Sequence, residues 1–122
     1  MEPKDLHLGT AEARFAGIVW ANAPVSTTEL VKLCAAEFSW KRTTTYTVLK
    51  RLCDRGLFQT HSGTVTVLVS REQFYAAQSE QFVADRFGGS LPAFVAAFTS
   101  QKKLSAKDLA EIRAMIDAMG EE

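Results

Sequence analysis

The residues best suited to chemistry in this chain concentrate between Trp40 and Phe58, WKRTTTYTVLKRLCDRGLF. This stretch sets Lys41, Arg42, Lys50, Arg51 and Arg55 against one acid, Asp54, in a chain of 122 residues whose 14 basic and 14 acidic side chains otherwise cancel. A local cationic surplus in a neutral protein suits a polyanionic partner at one face, attracted through charge and counterion release. Among the cations stand Thr43, Thr44, Tyr46 and Thr47, whose hydroxyls bond phosphate oxygens or base edges in a major groove. The candidate contacts are therefore Lys41, Arg42, Thr43, Thr44, Tyr46, Thr47, Lys50 and Arg51, with His61 further on as a phosphate contact or a plain surface histidine. Arg51 has two open roles, one on the partner and one in an internal ion pair with Glu37 or Asp54.

Other chemistries find no support. His7 and His61 are the only histidines, and no Ser/His/Asp or Cys/His constellation assembles around them. There is no GxGxxG or phosphate-loop pattern, and Gly88-Gly89 reads as a helix break. Cys34 and Cys53 each fall beside a leucine in a helical pattern, as small buried hydrophobes do, and no CxxC or HxxxH spacing offers a metal site. The sequence thus predicts neither an enzyme nor a cofactor.

A helix must carry the basic stretch. Thr45, Val48, Leu49 and Leu52 follow the i, i+3, i+4, i+7 spacing of a buried stripe, which turns Thr43, Tyr46, Thr47, Lys50 and Asp54 outward with Thr44 and Arg51 at their flank. Gly56 stops it after Arg55. Trp40 reads as a plug between this helix and the one before. Upstream, a first helix opens at Gly9 or Thr10 and runs to about Asn22, with Phe15, Ile18, Val19 and Trp20 on its apolar side and Glu12 and Arg14 on the wet one. Met1 to Leu8 is a loose lead-in. Ser26-Thr27-Thr28-Glu29 is a capping box for a second helix ending near Glu37. Downstream the period changes to two: Leu57–His61 and Thr64–Ser70 flank the turn dipeptide Ser62-Gly63. Three helices and a hairpin are the order of a winged helix-turn-helix, in which the third helix enters the major groove.

Ser70, with Gln73 three residues on, caps a fourth helix that ends at Phe87. Leu91–Ser100 is short and very apolar, and Ser105 opens a last helix with a stripe of Leu109, Ile112, Met115, Ile116 and Met119. The expected fold is mainly α with a small β-hairpin, divided into a winged-helix domain over residues 1–70 and a three-helix tail over 71–122. A tail this small cannot bury Phe74, Phe82, Phe87, Leu91, Phe94, Val95, Phe98, Leu109, Ile112 and Ile116 by itself. A second copy of the chain would cover them, and folding back onto the first domain is the alternative. No apolar run reaches the ~20 residues of a bilayer span, and Met1–Gly9 has no secretory pattern, so a cytoplasmic protein without membrane insertion is expected.

The chain resembles the penicillinase-repressor family of bacterial winged-helix regulators. LGTAEARFAGIVW with Pro24-Val25-Ser26 is similar to the family's first helix and the approach to its second. Trp40, Thr44, Thr47, Leu49, Arg51-Leu52 and Gly56-Leu57 are similar to its recognition-helix signature, and Phe82, Phe87-Gly88-Gly89-Ser90, Phe98 and Leu104-Ser105 to its tail. The resemblance implies a homodimeric transcriptional repressor on a palindromic DNA operator, paired in many relatives with a membrane sensor protease that triggers cleavage of the tail. The best-known members are cut at Asn-Phe, and the matching position here, the candidate proteolytic site, is Ala97-Phe98. The copper-responsive relatives carry a cysteine-rich C-terminus, whereas no cysteine follows Cys53. The wing, His61-Ser62-Gly63-Thr64, lacks the Lys or Arg of many relatives. The competing reading is a winged helix serving only as a protein-interaction module without DNA binding, which the weakly charged wing and the overall neutrality suit.

Overall fold

The computed structural model describes residues 6–120. Along the chain run α1 (Thr10–Asn22), β1 (Val25–Ser26), α2 (Thr27–Phe38), α3 (Arg42–Asp54), β2 (Phe58–His61), β3 (Thr64–Val67), α4 (Arg71–Phe87), α5 (Leu91–Gln101) and α6 (Ala106–Gly120). The chain divides into two compact units, the first ending at Gln81 and the second beginning at Phe82.

In the first unit, each helix of the trio buries one stripe. Phe15 and Val19 of α1, Leu30 and Cys34 of α2, and Val48, Leu49 and Leu52 of α3 meet in one core with Leu57, Phe58 and Val65 from the hairpin side. Thr45 is fully buried among them and returns its hydroxyl to the Lys41 carbonyl at 3.4 Å, which satisfies a polar group that burial would otherwise penalise. Trp40 was expected as a plug between the second and third helices; it packs against the core, with its ring partners Phe15 of α1 at 5.9 Å and Phe38 of α2 at 4.7 Å.

The sheet has three strands, in the order β1-β3-β2, all antiparallel. β1 is an addition to the expected hairpin: Val25 and Ser26 pair with Val65 and Thr64 before α2 begins. Two residues are too few to show an alternation in sequence. Ser26 still caps α2, its Oγ accepting the Glu29 N–H at 3.0 Å. At the hairpin tip Ser62 and Gly63 have φ of 50° and 75°, the pair of positive values that a two-residue turn matched to strand twist requires. Strand pairing ends at Val67, short of the expected Ser70, because the Leu68 and Val69 N–H groups both turn to the Leu57 carbonyl, at 2.9 and 3.1 Å.

The start of α4 belongs to the first unit. Ser70 and Gln73 exchange bonds at 2.9 and 3.0 Å in a complete capping box. One turn on, Phe74 is fully buried against Trp20 and Tyr75, with ring centroids 5.9 and 5.5 Å away. Phe74 was expected on a dimerisation surface; it is core, and it has no surface left to offer a partner. The lead-in is likewise held over Leu6–Leu8: the Leu6 carbonyl accepts from Gln78 Nε2 at 2.7 Å, and the His7 carbonyl from Arg55. The rest of that expected loose segment, residues 1–5, lies outside the described residues.

In the second unit Phe82, Phe87, Phe94 and Phe98 form a chain of ring contacts with centroids 5.6–6.3 Å apart. Ser90 and Ser105 cap α5 and α6, accepting the Ala93 and Asp108 N–H groups. No residue of α5 or α6 is buried.

Candidate nucleic-acid interface

The site is the outward face of α3 and the hairpin beside it. α3 is 13 residues long and amphipathic in the expected phase: Thr45, Val48, Leu49 and Leu52 are buried, while Lys41, Arg42, Thr43, Thr44, Thr47, Lys50 and Arg51 are exposed and Tyr46 is half-buried. Its C-terminus closes as a Schellman motif. Gly56, with φ of 86°, donates to the Cys53 carbonyl at 3.0 Å, and Leu57 N–H donates to that of Leu52 at 3.1 Å. Its N-terminus is different. Ser26, Ser70, Ser90 and Ser105 each supply an oxygen to the helix they precede, whereas α3 begins on Lys41 with no side-chain cap. The first-turn N–H groups of α3 and the Lys41 and Arg42 cations thus suit this end of the helix to an anion. Two like charges at a positive helix end oppose the macrodipole, a local cost that a bound phosphate would relieve.

The side chains around that end are ordered. The Arg42 guanidinium lies 5.5 Å from the centre of the Tyr46 ring, within cation–π range. Hydrogen bonding to the Thr27 side chain, helped by Arg42, holds the Tyr46 phenol below its usual pKa against the opposing effect of burial. Thr27 N–H in turn donates to the Gly63 carbonyl at 2.9 Å, tying the start of α2 to the tip of the wing. His61 is exposed at the end of β2. Thr47 Oγ1 bonds back to the Thr43 carbonyl at 2.9 Å, so it offers lone pairs outward while its proton is engaged.

Toward the C-terminal half of α3 the cations have protein partners. Lys50 Nζ lies 2.9 Å from Asp54 Oδ2 one turn on, and Asp54 raises its pKa above the usual lysine value. Arg51 pairs with neither acid proposed for it from sequence. Its Nη1 is 3.4 Å from Glu12 Oε2, and Arg55 Nη1 is 3.6 Å from the same oxygen. Glu12 Oε1 meanwhile accepts the Gly9 N–H at 3.0 Å. Gly9 and the two guanidinium groups hold the Glu12 carboxyl below its usual range, against burial. Glu12 is the residue that sequence reasoning missed by placing it on the wet side of α1. Its position three residues after Gly9, where a carboxylate reaches back to a helix start, was the available signal.

Burial pushes the thiols of Cys34 and Cys53 up, which keeps them protonated and poor nucleophiles. Among the described residues no group of three or more His, Cys, Asp or Glu side chains is placed to hold a metal ion, and no helix is long and apolar enough to cross a membrane.

The penicillinase repressor family model matches residues 8–118. The chain belongs to the penicillinase repressor family. A penicillinase repressor of Bacillus licheniformis is 23% identical over 114 residues, covering 90% of this chain and 89% of the relative. This is a family of repressors and not of enzymes, and the fold fits it: a winged helix followed by helices. The family match spans both units, and so covers α3 and the exposed apolar residues of the second unit up to Ile116.

Proposed function

We propose that the protein is a DNA-binding transcriptional repressor that acts as a homodimer on a palindromic operator. The observation that carries this is α3: a helix locked to a core by one stripe, with cations and hydroxyls on the other face and an uncapped, doubly cationic N-terminus. Lys41, Arg42, Thr43, Thr44, Tyr46 and Thr47 lie against phosphates and base edges in the major groove, with His61 on the flanking backbone; Lys50 reaches the duplex edge beside Asp54. Phosphate contacts supply affinity and the base-edge contacts supply sequence choice. Repression follows by occlusion of the promoter.

The homodimer reading rests on the second unit. Leu91, Val95, Phe98, Leu109, Ile112, Met115, Ile116 and Met119 are 38–66% exposed in the single chain, more apolar surface than a soluble monomer ordinarily leaves open. Covered by a second copy, these residues would set the two α3 helices in successive major grooves, one or two helical turns apart. Phe82 is similarly open at 43%, while Phe87 and Phe94 are half-buried and brace the surface from within. Control by a membrane sensor protease is a further part of this reading. Ala97-Phe98 sits inside α5, where the Ser100 hydroxyl holds the Ala97 carbonyl at 2.8 Å, so cleavage there requires this helix to open first.

The test is a salt titration on duplex DNA from upstream of the gene. Lys41 and Arg42 from two protomers make about four phosphate contacts, which cost roughly a hundredfold in affinity over an about fourfold rise in salt. Lys41→Ala with Arg42→Ala should remove most of that dependence and leave the oligomeric state unchanged. Absence of binding at low salt would favour an interaction module without DNA contact, a role that the uncharged wing also suits.

A further inference from the structure

The five cations of residues 41–55 are not equivalent. Among the described residues Lys41 and Arg42 make no ion pair, whereas Lys50 is matched by Asp54, and Arg51 and Arg55 by Glu12. Glu12 differs from Asp54 in kind. The Asp54–Lys50 pair is an exposed contact along one helix, with side chains 65% and 76% open, and such pairs are weak and screened by salt. The Glu12 side chain is only 17% exposed. One oxygen is fixed by Gly9 N–H and the other faces two guanidinium groups. Its attraction for Arg51 therefore acts across less water and needs no ordering of the carboxylate. Arg55, 16% exposed, also donates to the His7 carbonyl and is held inside the fold. Arg51 is 54% exposed on the flank of the outward face of α3, and among the described residues Glu12 is the acid that draws its guanidinium back toward α1.

We propose that Glu12 is a positioning residue that limits the sequence-independent DNA affinity of the interface: it holds Arg51 on α1 and so confines the phosphate grip of α3 to its N-terminal half. The proposal rests on the DNA-binding reading above. A phosphate contact strengthens binding to every sequence alike. An extra one from Arg51 would raise binding to random DNA and leave the operator no better distinguished. Glu12 occupies the place a phosphate would take, and acts on the DNA through Arg51 without touching it.

The experiment measures the salt dependence of binding to a random-sequence DNA duplex by fluorescence anisotropy, for the full chain and for Glu12→Gln, Arg51→Gln and the double variant. Release of Arg51 by Glu12→Gln should steepen the slope of log K against log salt by about one unit per bound protomer, with about tenfold tighter binding for each Arg51 released near ~0.1 M salt. Arg51→Gln alone should leave the slope of the native protein unchanged, and in the Glu12→Gln background should restore it. A Glu12 that merely cements α1 to α3 would lower the melting temperature and leave every slope alike, and that result overturns the proposal. So does a shallower slope on Arg51→Gln in the native background, which shows Arg51 already on phosphate; this arm decides even if Glu12→Gln fails to fold. Failure of the native chain to bind any duplex at low salt is a separate outcome: it overturns the DNA-binding reading itself and this proposal with it.

Discussion

Glu12 shows how one carboxylate can join a helix start to a functional face. It accepts the Gly9 N–H and meets Arg51 of α3 and Arg55 at its C-terminal end, so α3 is referenced to α1 through charge as well as through packing. Its depressed pKa carries a pH consequence. A carboxyl lowered in the folded state adds stability above its unfolded pKa, and that stability is lost as pH falls through the folded value. Thermal melts of the native chain should therefore lose stability on the acid side of the ordinary glutamate range, and Glu12→Gln should flatten that part of the profile. An identical acid limb in the variant would contradict the assignment. Arg51 was read from sequence with its role open between the partner and Glu37 or Asp54; the partner found is 39 positions away, a separation at which spacing carries no information.

At the scale of elements, α3 was the most legible part of the chain. Its buried stripe, outward hydroxyls and glycine stop all follow from local periodicity and local backbone preference, which a single sequence displays. Gly56 is the sharpest case. Its φ of 86° lies where a side chain clashes with the backbone, and nothing else crowds the position. Gly56→Ala should then cost about 1–2 kcal/mol from backbone conformation alone, read as a lower urea midpoint with an unchanged slope. No loss would mean the helix end relaxes, and the position of the wing is less tightly set than the Schellman bonds indicate. β1 was not legible, since two residues have no period; its strand character comes from pairing with Val65 and Thr64. The inward turn of Phe74 was not legible either. The cap at Ser70 marks where α4 starts, but which of its residues meet Trp20 is decided by the core of the first unit.

For the whole molecule, the open question is what covers the second unit. Composition made the excess of apolar surface visible, and the exposed stripe of α6 agrees with it; a partner chain leaves no periodic mark in one sequence. Ile116, 60% exposed on that stripe, provides a clean test because it lies outside the buried core. Ile116→Asp should place a charge in the proposed dimer interface. It should convert a dimer to a monomer in analytical ultracentrifugation and weaken operator binding by at least an order of magnitude, since linking two modest sites is what gives high avidity. The first unit should stay folded by circular dichroism. A variant that remains dimeric would move the interface elsewhere.

The central claim is that the outward side of α3 faces duplex DNA. A photo-crosslinking side chain placed at Thr43 or Thr47, both exposed on α3, tests it most directly on DNA from upstream of the gene. The account expects a covalent DNA adduct at each position that is lost when excess unlabelled operator competes. Intact DNA binding with no adduct at either position would contradict it.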